Sequence, residues 1–442
     1  MRRTPSIARL IAAATLPVAL FATSSAVGSA VAPTSAAASS AEAAAHRPKA
    51  DPAWVDTWTA MPQLTEPSNM PPPPFTTDQG VLDDATLRQT VHVTTGGDQI
   101  RLQFSNEFGG APLPLTAISV ALPLDGGAGV SAIEPGSSQP VTFGGESSVT
   151  IPMGARYVSD PLDLDLAAGS NLTVTVYLAD GQASQSITSH PGSRTTSYLV
   201  SGNHVADETL SGATSTDHWY FLSAVEAWST GVTATAILGD SLTDGRGSTT
   251  NGNNRWPDQL FSRLQAGYGT DDVSVLNQAA GGNRVLNEGL GPSVVSRVDR
   301  DVLARSGVNR LIIFEGVNDI GTAAATEAAQ EAVAADLITA FDQIITRAHA
   351  HGIEVYGATL LPFGNNTGYD DAGGLREGAR QTVNDWIRDS GRFDAVLDFD
   401  AAVRDPAQPD QLLPSVHDGD WLHLNPEGYG LLAAAVPLNL FR

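Results

Sequence analysis

The sequence contains no cysteine and has few basic residues. The absence of cysteine among 442 residues excludes disulfides, a cysteine nucleophile, thiolate metal sites and lipid attachment at a cysteine. The 24 lysine and arginine residues are outnumbered by 48 acidic residues, and the formal net charge of −24 excludes nucleic acid as a partner and disfavours anionic membrane surfaces. A hydrophobic content of 42% with 16% charged residues is typical of a globular protein. The length exceeds one ordinary core, so we expect two domains.

The N-terminal residues have the pattern of a secretory signal peptide. Three arginines within residues 1–9 precede the apolar run 10–22, and small residues follow as far as Ala30. We expect cleavage near Ala30, which makes residues 1–30 a signal peptide and the protein secreted and extracellular. A retained membrane anchor is the alternative, but the run is shorter than the about 20 residues that span a bilayer. We therefore expect no integral membrane association. Residues 31–50 are rich in Ala, Ser and Pro and predict a disordered linker.

Residues 51–230 have the pattern of an all-β domain. Polar and apolar residues alternate in 89–93 and 171–177, and no long segment has a 3.6-residue period. Glycine, proline, aspartate and asparagine bound the apolar runs, as in short strands joined by turns. The pattern predicts a β-sandwich or jelly roll. The predicted strands are 87–95, 99–104, 117–122, 148–153, 172–178 and 219–227.

Residues 231–442 have a different pattern, in which apolar runs alternate with segments of helical spacing. This alternation predicts a mostly parallel sheet covered by helices. Ligands of such sheets bind at the carboxyl ends of the strands, so the residues that follow each run are the candidates for function. The predicted strands are 234–238, 273–276, 311–314, 355–361 and 395–399, and the clearest helices are 255–266, 327–350 and 375–390.

Chemically useful side chains follow several of these strands. Ser241 comes after the first strand, and a serine nucleophile needs a base, for which His423 is the candidate, with Asp420 orienting its ring. Acyl transfer also needs oxyanion donors, which the N–H groups of Ser241 and Gly282 and the amide of Asn318 would supply. The alternative is ordinary turn and capping chemistry, in which Asp420 caps the next helix and His423 is a solvated loop residue.

These segments resemble the GDSL esterase/lipase family, also called SGNH hydrolases. Four blocks stand in the family's order: Gly239–Leu242, Gly282, Gly316–Asp319 and Asp420–His423. The resemblance implies a nucleophilic serine in the first block and a three-layer, flavodoxin-like α/β sandwich, with no metal and no cofactor. In the second block, the adjacent Gly281 is the alternative oxyanion donor to Gly282.

The β-rich region opens with Trp54–Trp58 and is similar to the region that precedes the SGNH domain in some secreted actinobacterial enzymes, a few of them near xylan-degrading systems. We therefore predict a secreted serine esterase that cleaves short acyl esters, above all acetyl esters, of small molecules or plant polysaccharide. The alternatives are an extracellular lipase or phospholipase and, from another class, a non-catalytic carbohydrate-binding protein. The oligomeric state stays open. His190 is predicted to lie in a surface turn, with a loop facing the cleft as the alternative.

Overall fold

The computed structural model describes residues 51–442, which fall within one compact unit. The predicted signal peptide, 1–30, and the predicted linker, 31–50, lie outside the described residues. Within the part of the chain that is described, no helix combines the length and the apolar composition that crossing a membrane requires.

The N-terminal part consists of antiparallel strands in two main sheets. The strands are β1 (Pro52–Thr59), β2 (Gln63–Leu64), β3 (Thr76–Thr77), β4 (Gly80–His92), β5 (Gly97–Ser105), β6 (Leu113–Leu115), β7 (Ala117–Ala121), β8 (Gln139–Pro140), β9 (Val149–Ile151), β10 (Arg156–Val158), β11 (Leu162–Leu166), β12 (Asn171–Gln182), β13 (Thr188–His190), β14 (Ser197–Ser201), β15 (Thr214–Thr216), β16 (Trp219–Tyr220) and β17 (Leu222–Thr230). One sheet has the order β1-β17-β5-β10, with β11 also paired to β5, and the other has the order β15-β14-β4-β12-β7-β8, with β3 beside β4.

Alternation along the strands places apolar side chains of both sheets in one core. Ile100, Leu102 and Phe104 of β5 are buried at every second position, and they belong to the same cluster as Leu87 and Val174 of the other sheet. The predicted all-β class is therefore confirmed. The predicted strand 219–227 is instead divided into β16 and β17, because Phe221 between them has a left-handed backbone with φ 64°.

The C-terminal part is built on a parallel sheet of five strands. Its elements are β18 (Thr233–Gly239), α1 (Ser241–Asp244), α2 (Trp256–Ala266), β19 (Val273–Ala279), α3 (Val294–Val298), β20 (Val308–Phe314), α4 (Val317–Thr322), α5 (Glu327–Ala350), β21 (Glu354–Ala358), α6 (Leu375–Asp389), β22 (Ala395–Leu397), α7 (Phe399–Val403), the hairpin β23 (Arg404–Asp405) and β24 (Gln408–Leu412), and α8 (Pro426–Ala435). The order of the strands in the sheet is β19-β18-β20-β21-β22. Numbered along the chain, this is 2-1-3-4-5, the flavodoxin-like order, which confirms the predicted α/β class.

The boundaries follow from capping and burial. Helix α5 has the predicted bounds, with Thr326 as its N-cap and an apolar face buried against the sheet. The predicted strand 395–399 ends two residues early. Asp398 accepts a hydrogen bond from the N–H of Ala401 at 3.1 Å and thereby starts α7.

Buried polar groups join the two parts of the chain. Asp56 of β1 accepts a hydrogen bond from the N–H of Ser306 at 2.9 Å and lies 3.4 Å from the guanidinium of Arg305. Burial raises the pKa of Asp56 to about 6, although Arg305 opposes the rise. The hydroxyls of Thr94 and Ser274 lie 2.8 Å apart. The all-β part is thus held against the parallel sheet by specific hydrogen bonds as well as by apolar contact.

Candidate active site

The serine lies in a tight turn at the end of β18, the first strand of the parallel sheet. Ser241 is the first residue of α1, and Asp240 caps this helix by accepting the N–H of Leu242 at 2.9 Å. A side chain at Gly239 would place its Cβ 2.4 Å from the hydroxyl of Thr243, so the close approach requires glycine. The turn therefore presents Ser241 at the carboxyl edge of the sheet, in the crevice between β18 and β20.

A hydrogen-bonded chain runs from Ser241 through His423 to Asp420. Ser241 Oγ lies 2.8 Å from His423 Nε2, and His423 Nδ1 lies 2.5 Å from Asp420 Oδ2. The other carboxylate oxygen of Asp420 accepts the N–H groups of Leu422 at 2.9 Å and His423 at 2.8 Å. This short loop before α8 therefore fixes the carboxylate and the imidazole together.

The protonation states of these groups suit proton transfer from serine. Burial works to raise the pKa of Asp420, but the hydrogen bonds from His423 and Leu422 outweigh it and hold the pKa at about 2. Burial lowers the pKa of His423, and Asp420 opposes this effect. At neutral pH the aspartate is ionised and the histidine is neutral, so His423 Nε2 can accept a proton.

Three N–H donors lie beside the serine. The amide of Asn318, in α4, donates to the carbonyl of Asn283 at 2.8 Å, and its oxygen accepts the hydroxyl of Tyr369 at 2.6 Å, which leaves one amide hydrogen for a ligand. Within residues 51–442, the N–H groups of Ser241 and Gly282 donate no hydrogen bond. These are the donors that the sequence predicted.

The adjacent Gly281 differs from Gly282. The N–H of Gly281 donates to Asp244 Oδ2 at 3.0 Å and is already occupied, whereas Gly282 has a left-handed backbone with φ 74° that only glycine adopts readily. The same loop is anchored further on, where Asp319 accepts the N–H groups of Val285 at 2.9 Å and Leu286 at 3.0 Å. This arrangement favours Gly282 as the oxyanion donor.

Buried acidic groups lie behind the serine. Glu315 follows β20, and neither of its oxygens has a hydrogen-bond partner within the described residues, although Arg297 lies 3.5 Å away. Burial raises the pKa of Glu315 well above its ordinary value, with Arg297 opposing. Burial also raises the pKa of Asp240 to about 7, and the carboxylates of Asp319 and Asp244 add to the rise. Asp240 caps the turn and is not among the residues that line the cavity, so its position does not suit a general base.

A cavity of about 450 Å³ surrounds these groups, and both parts of the chain line it. The parallel-sheet part contributes Ser241, Gly282, Asn318 and His423, so four of the five predicted site residues line one cavity. Asp420 lies behind His423. The all-β part contributes polar residues of three segments, Glu66, Arg194 and His218 among them. The sequence analysis raised this second wall only as the alternative for the loop at His190, and Pro191, Gly192 and Arg194 of that loop line the cavity.

Two residues at the site were not identified correctly from the sequence. Tyr369, which orients Asn318, lies in a loop without a motif or a periodic pattern that would single it out. His190 was predicted to lie in a surface turn, and this is wrong: it ends strand β13, its side chain is 5% exposed, and its Nε2 lies 2.9 Å from Asp244 Oδ1. Its partners are distant in the sequence, so no local signal could reveal its burial.

One group of side chains has metal-ligand chemistry. Asp418, Asp420 and His423 place one ligand atom each within 4.8 Å of one another. Both ring nitrogens of His423 are, however, hydrogen-bonded to Asp420 and Ser241, so a metal here would have to displace a partner of the histidine. The site's own geometry accounts for these residues without an ion.

The structure thus brings a serine, a histidine and an aspartate together in one hydrogen-bonded chain at the carboxyl edge of a parallel sheet. Residues 237–431 match the model of the GDSL-like lipase/acylhydrolase family. This part of the chain belongs to that family, and the protein is an acylhydrolase of the GDSL/SGNH type.

The chain is similar to several solved structures, and each of these matches covers 46% of the chain. They include a lipase/acylhydrolase from Enterococcus faecalis (19% identity, 93% of its chain, TM-score 0.34) and a GDSL-like lipase from Bacteroides thetaiotaomicron (17% identity, 84% of its chain, TM-score 0.34). A variant of an acetyl xylan esterase from Geobacillus stearothermophilus is also similar (19% identity, 92% of its chain, TM-score 0.35). No curated protein matches the chain.

Proposed function

We propose that this acylhydrolase is a serine esterase in which Ser241, His423 and Asp420 form the catalytic triad. The observation that carries the proposal is the continuous hydrogen-bonded chain from Ser241 Oγ to Asp420, which opens into a cavity with three N–H donors. A turn with a purely structural role does not require a serine hydroxyl to be aligned with a histidine ring.

The geometry supports a two-step reaction through an acyl-enzyme. His423 Nε2 takes the proton of Ser241 Oγ as the oxygen attacks the ester carbonyl, and Asp420 stabilises the imidazolium. The negative charge on the carbonyl oxygen is stabilised by the N–H groups of Ser241 and Gly282 and the amide of Asn318. His423 then gives the proton to the leaving alcohol, and water attacks the acyl-enzyme with His423 again as the base. The products are the alcohol, the acid and the free serine.

The lining of the cavity favours a short acyl group and a polar alcohol. Pro191, Leu290 and Leu422 are the aliphatic side chains among the residues that line it, and the rest are mainly polar, charged or glycine. A long acyl chain gains about 0.8 kcal/mol for each methylene that it buries against apolar groups, and three aliphatic side chains of this cavity are available to it. Acetyl esters of carbohydrates are therefore the proposed substrates, and secretion, suggested by residues 1–30, would bring the enzyme to polysaccharide.

A panel of substrates tests both parts of the proposal. The full chain is assayed on acetylated xylan, acetylated pectin and aryl esters with acyl chains of two to twelve carbons, beside Ser241→Ala. We expect kcat/KM to fall as the acyl chain lengthens and Ser241→Ala to abolish turnover. Full activity of Ser241→Ala would refute the triad, whereas preference for eight or more carbons would refute the short-acyl assignment and support a lipase.

A further inference from the structure

His190 of the all-β part reaches into the parallel-sheet part and contacts the serine turn. Its Nε2 lies 2.9 Å from Oδ1 of Asp244, the last residue of α1, and both side chains are almost fully buried. Strand β13, which carries His190, pairs with β16 and β2, and the imidazole stacks on Trp219 with the ring centroids 5.8 Å apart. The histidine therefore has a fixed position in the all-β part.

Both ring nitrogens of His190 face oxygen acceptors. Nδ1 lies 3.1 Å from the carbonyl of Met61, and Nε2 faces the Asp244 carboxylate. A carbonyl cannot donate, so Nδ1 must carry a proton, and the contact with Asp244 needs one more. The contact between His190 and Asp244 is thus a buried hydrogen bond, and removing either partner leaves the other buried without its partner.

The second oxygen of Asp244 connects this hydrogen bond to the oxyanion donors. Asp244 Oδ2 accepts the N–H of Gly281 at 3.0 Å, and the next residue is Gly282, which lines the cavity. A Cβ at Gly192, two residues after His190, would lie 1.7 Å from the same Oδ2. The segment 190–192 thus holds the Asp244 carboxylate from one side by a hydrogen bond and from another by close backbone packing.

We propose that His190 is a positioning residue for ester hydrolysis: it fixes Asp244, which in turn fixes the Gly281–Gly282 turn and so the direction of the oxyanion-stabilising N–H. The all-β part is then an integral part of the active site, since it supplies the group that orders one of the donors. The inference rests on the proposed function, because a misplaced N–H matters only if an oxyanion forms there.

The test compares ground-state binding with transition-state stabilisation in the full chain. His190→Ala and Asp244→Asn are made singly and together, and active sites are counted with an irreversible organophosphate serine reagent. For each variant, kcat and KM are measured on 4-nitrophenyl acetate, and Ki is measured for ethylboronic acid, which forms a tetrahedral adduct with a reactive serine. His349→Ala is the matched control, because it removes an exposed His–Asp pair with Asp394 at 2.8 Å, outside the cavity.

Loss of one oxyanion donor costs about 10²–10³ in kcat, and a misdirected donor should cost less, roughly 10–100-fold. We expect His190→Ala to lower kcat per active site by that factor, to weaken ethylboronic acid by a similar factor, and to change KM less than about threefold. The double variant should lose little more than the worse single variant. His349→Ala should match the wild type.

Two results would overturn the inference. If His190→Ala merely reduces the number of titrated sites, with kcat per site and Ki unchanged, the histidine supports folding alone. If the losses of the two single variants multiply in the double variant, the two residues act independently. Ser241→Ala separates this failure from that of the proposed function: an inactive Ser241→Ala beside a fully active His190→Ala refutes only the positioning role.

Discussion

Replacing Asp420 by asparagine tests the triad with almost no change of shape. In the structure, one carboxylate oxygen accepts two backbone N–H groups, from Leu422 and His423, and the other faces His423 Nδ1. An asparagine must keep its oxygen toward the two N–H groups, so its NH₂ group would face Nδ1. Nδ1 would then have to accept, and the proton would move to Nε2. In that tautomer, His423 cannot take the proton of Ser241.

The expected loss is large. Trapping the wrong tautomer in a serine triad lowers kcat by about 10⁴, which corresponds to about 5.4 kcal/mol at 1.36 kcal/mol for each tenfold change. The assay is steady-state hydrolysis of 4-nitrophenyl acetate by Asp420→Asn, with the thermal unfolding midpoint measured in parallel. KM should change little, because the carboxylate does not line the cavity.

Asp418→Asn is the matched control, since Asp418 is the other carboxylate close to His423. Its side chain faces Asp420, whereas both ring nitrogens of His423 are occupied by Ser241 and Asp420, so we expect an activity within about threefold of the wild type because its charge is exposed and screened. Two outcomes would refute the reasoning: Asp420→Asn retaining more than a tenth of the wild-type kcat, or Asp418→Asn losing as much as Asp420→Asn.

Three further predictions concern the oxyanion donors, the base and the core. Asn318→Ala should lower kcat by about 10²–10³, because it removes an oxyanion donor. Tyr369→Phe removes only one hydrogen bond that orients Asn318, so it should lower kcat by several-fold. Equal losses in the two variants would contradict these roles. Burial lowers the pKa of His423 from 6.5, so kcat/KM should rise with pH through an acid limb centred below 6.5. An acid limb centred above 6.5 would contradict the prediction that His423 is neutral at neutral pH. Trp256 is fully buried, 5.3 Å from Phe399 between ring centroids, so Trp256→Ala should lower the free energy of unfolding in urea by about 3–5 kcal/mol. Tyr268→Ala, at a 91% exposed side chain, should change it by less than about 0.5 kcal/mol.

The amino-acid sequence by itself was sufficient to predict the fold class and to select the candidate site residues. Periodicity depends on neighbours along the chain, so the strands of the parallel sheet and the bounds of α5, 327–350, were recognisable without a structure. Because parallel strands end at one edge, residues as far apart as Ser241 and His423 could be assigned to one site from the order of the strands. Their catalytic roles stay predictions that the variants above test.

Only the tertiary structure decided which groups orient the candidate residues. The hydroxyl of Tyr369 reaches Asn318 across 51 positions of the chain, and His190 reaches Asp244 across 54. Such contacts leave no local period, because they depend on how loops and sheets pack and not on the succession of residues. The same holds for the occupied N–H of Gly281, and for the wall of the cavity that the all-β part provides. The sequence therefore indicated the candidate reacting groups, and the packing of the two parts determined what holds them in place.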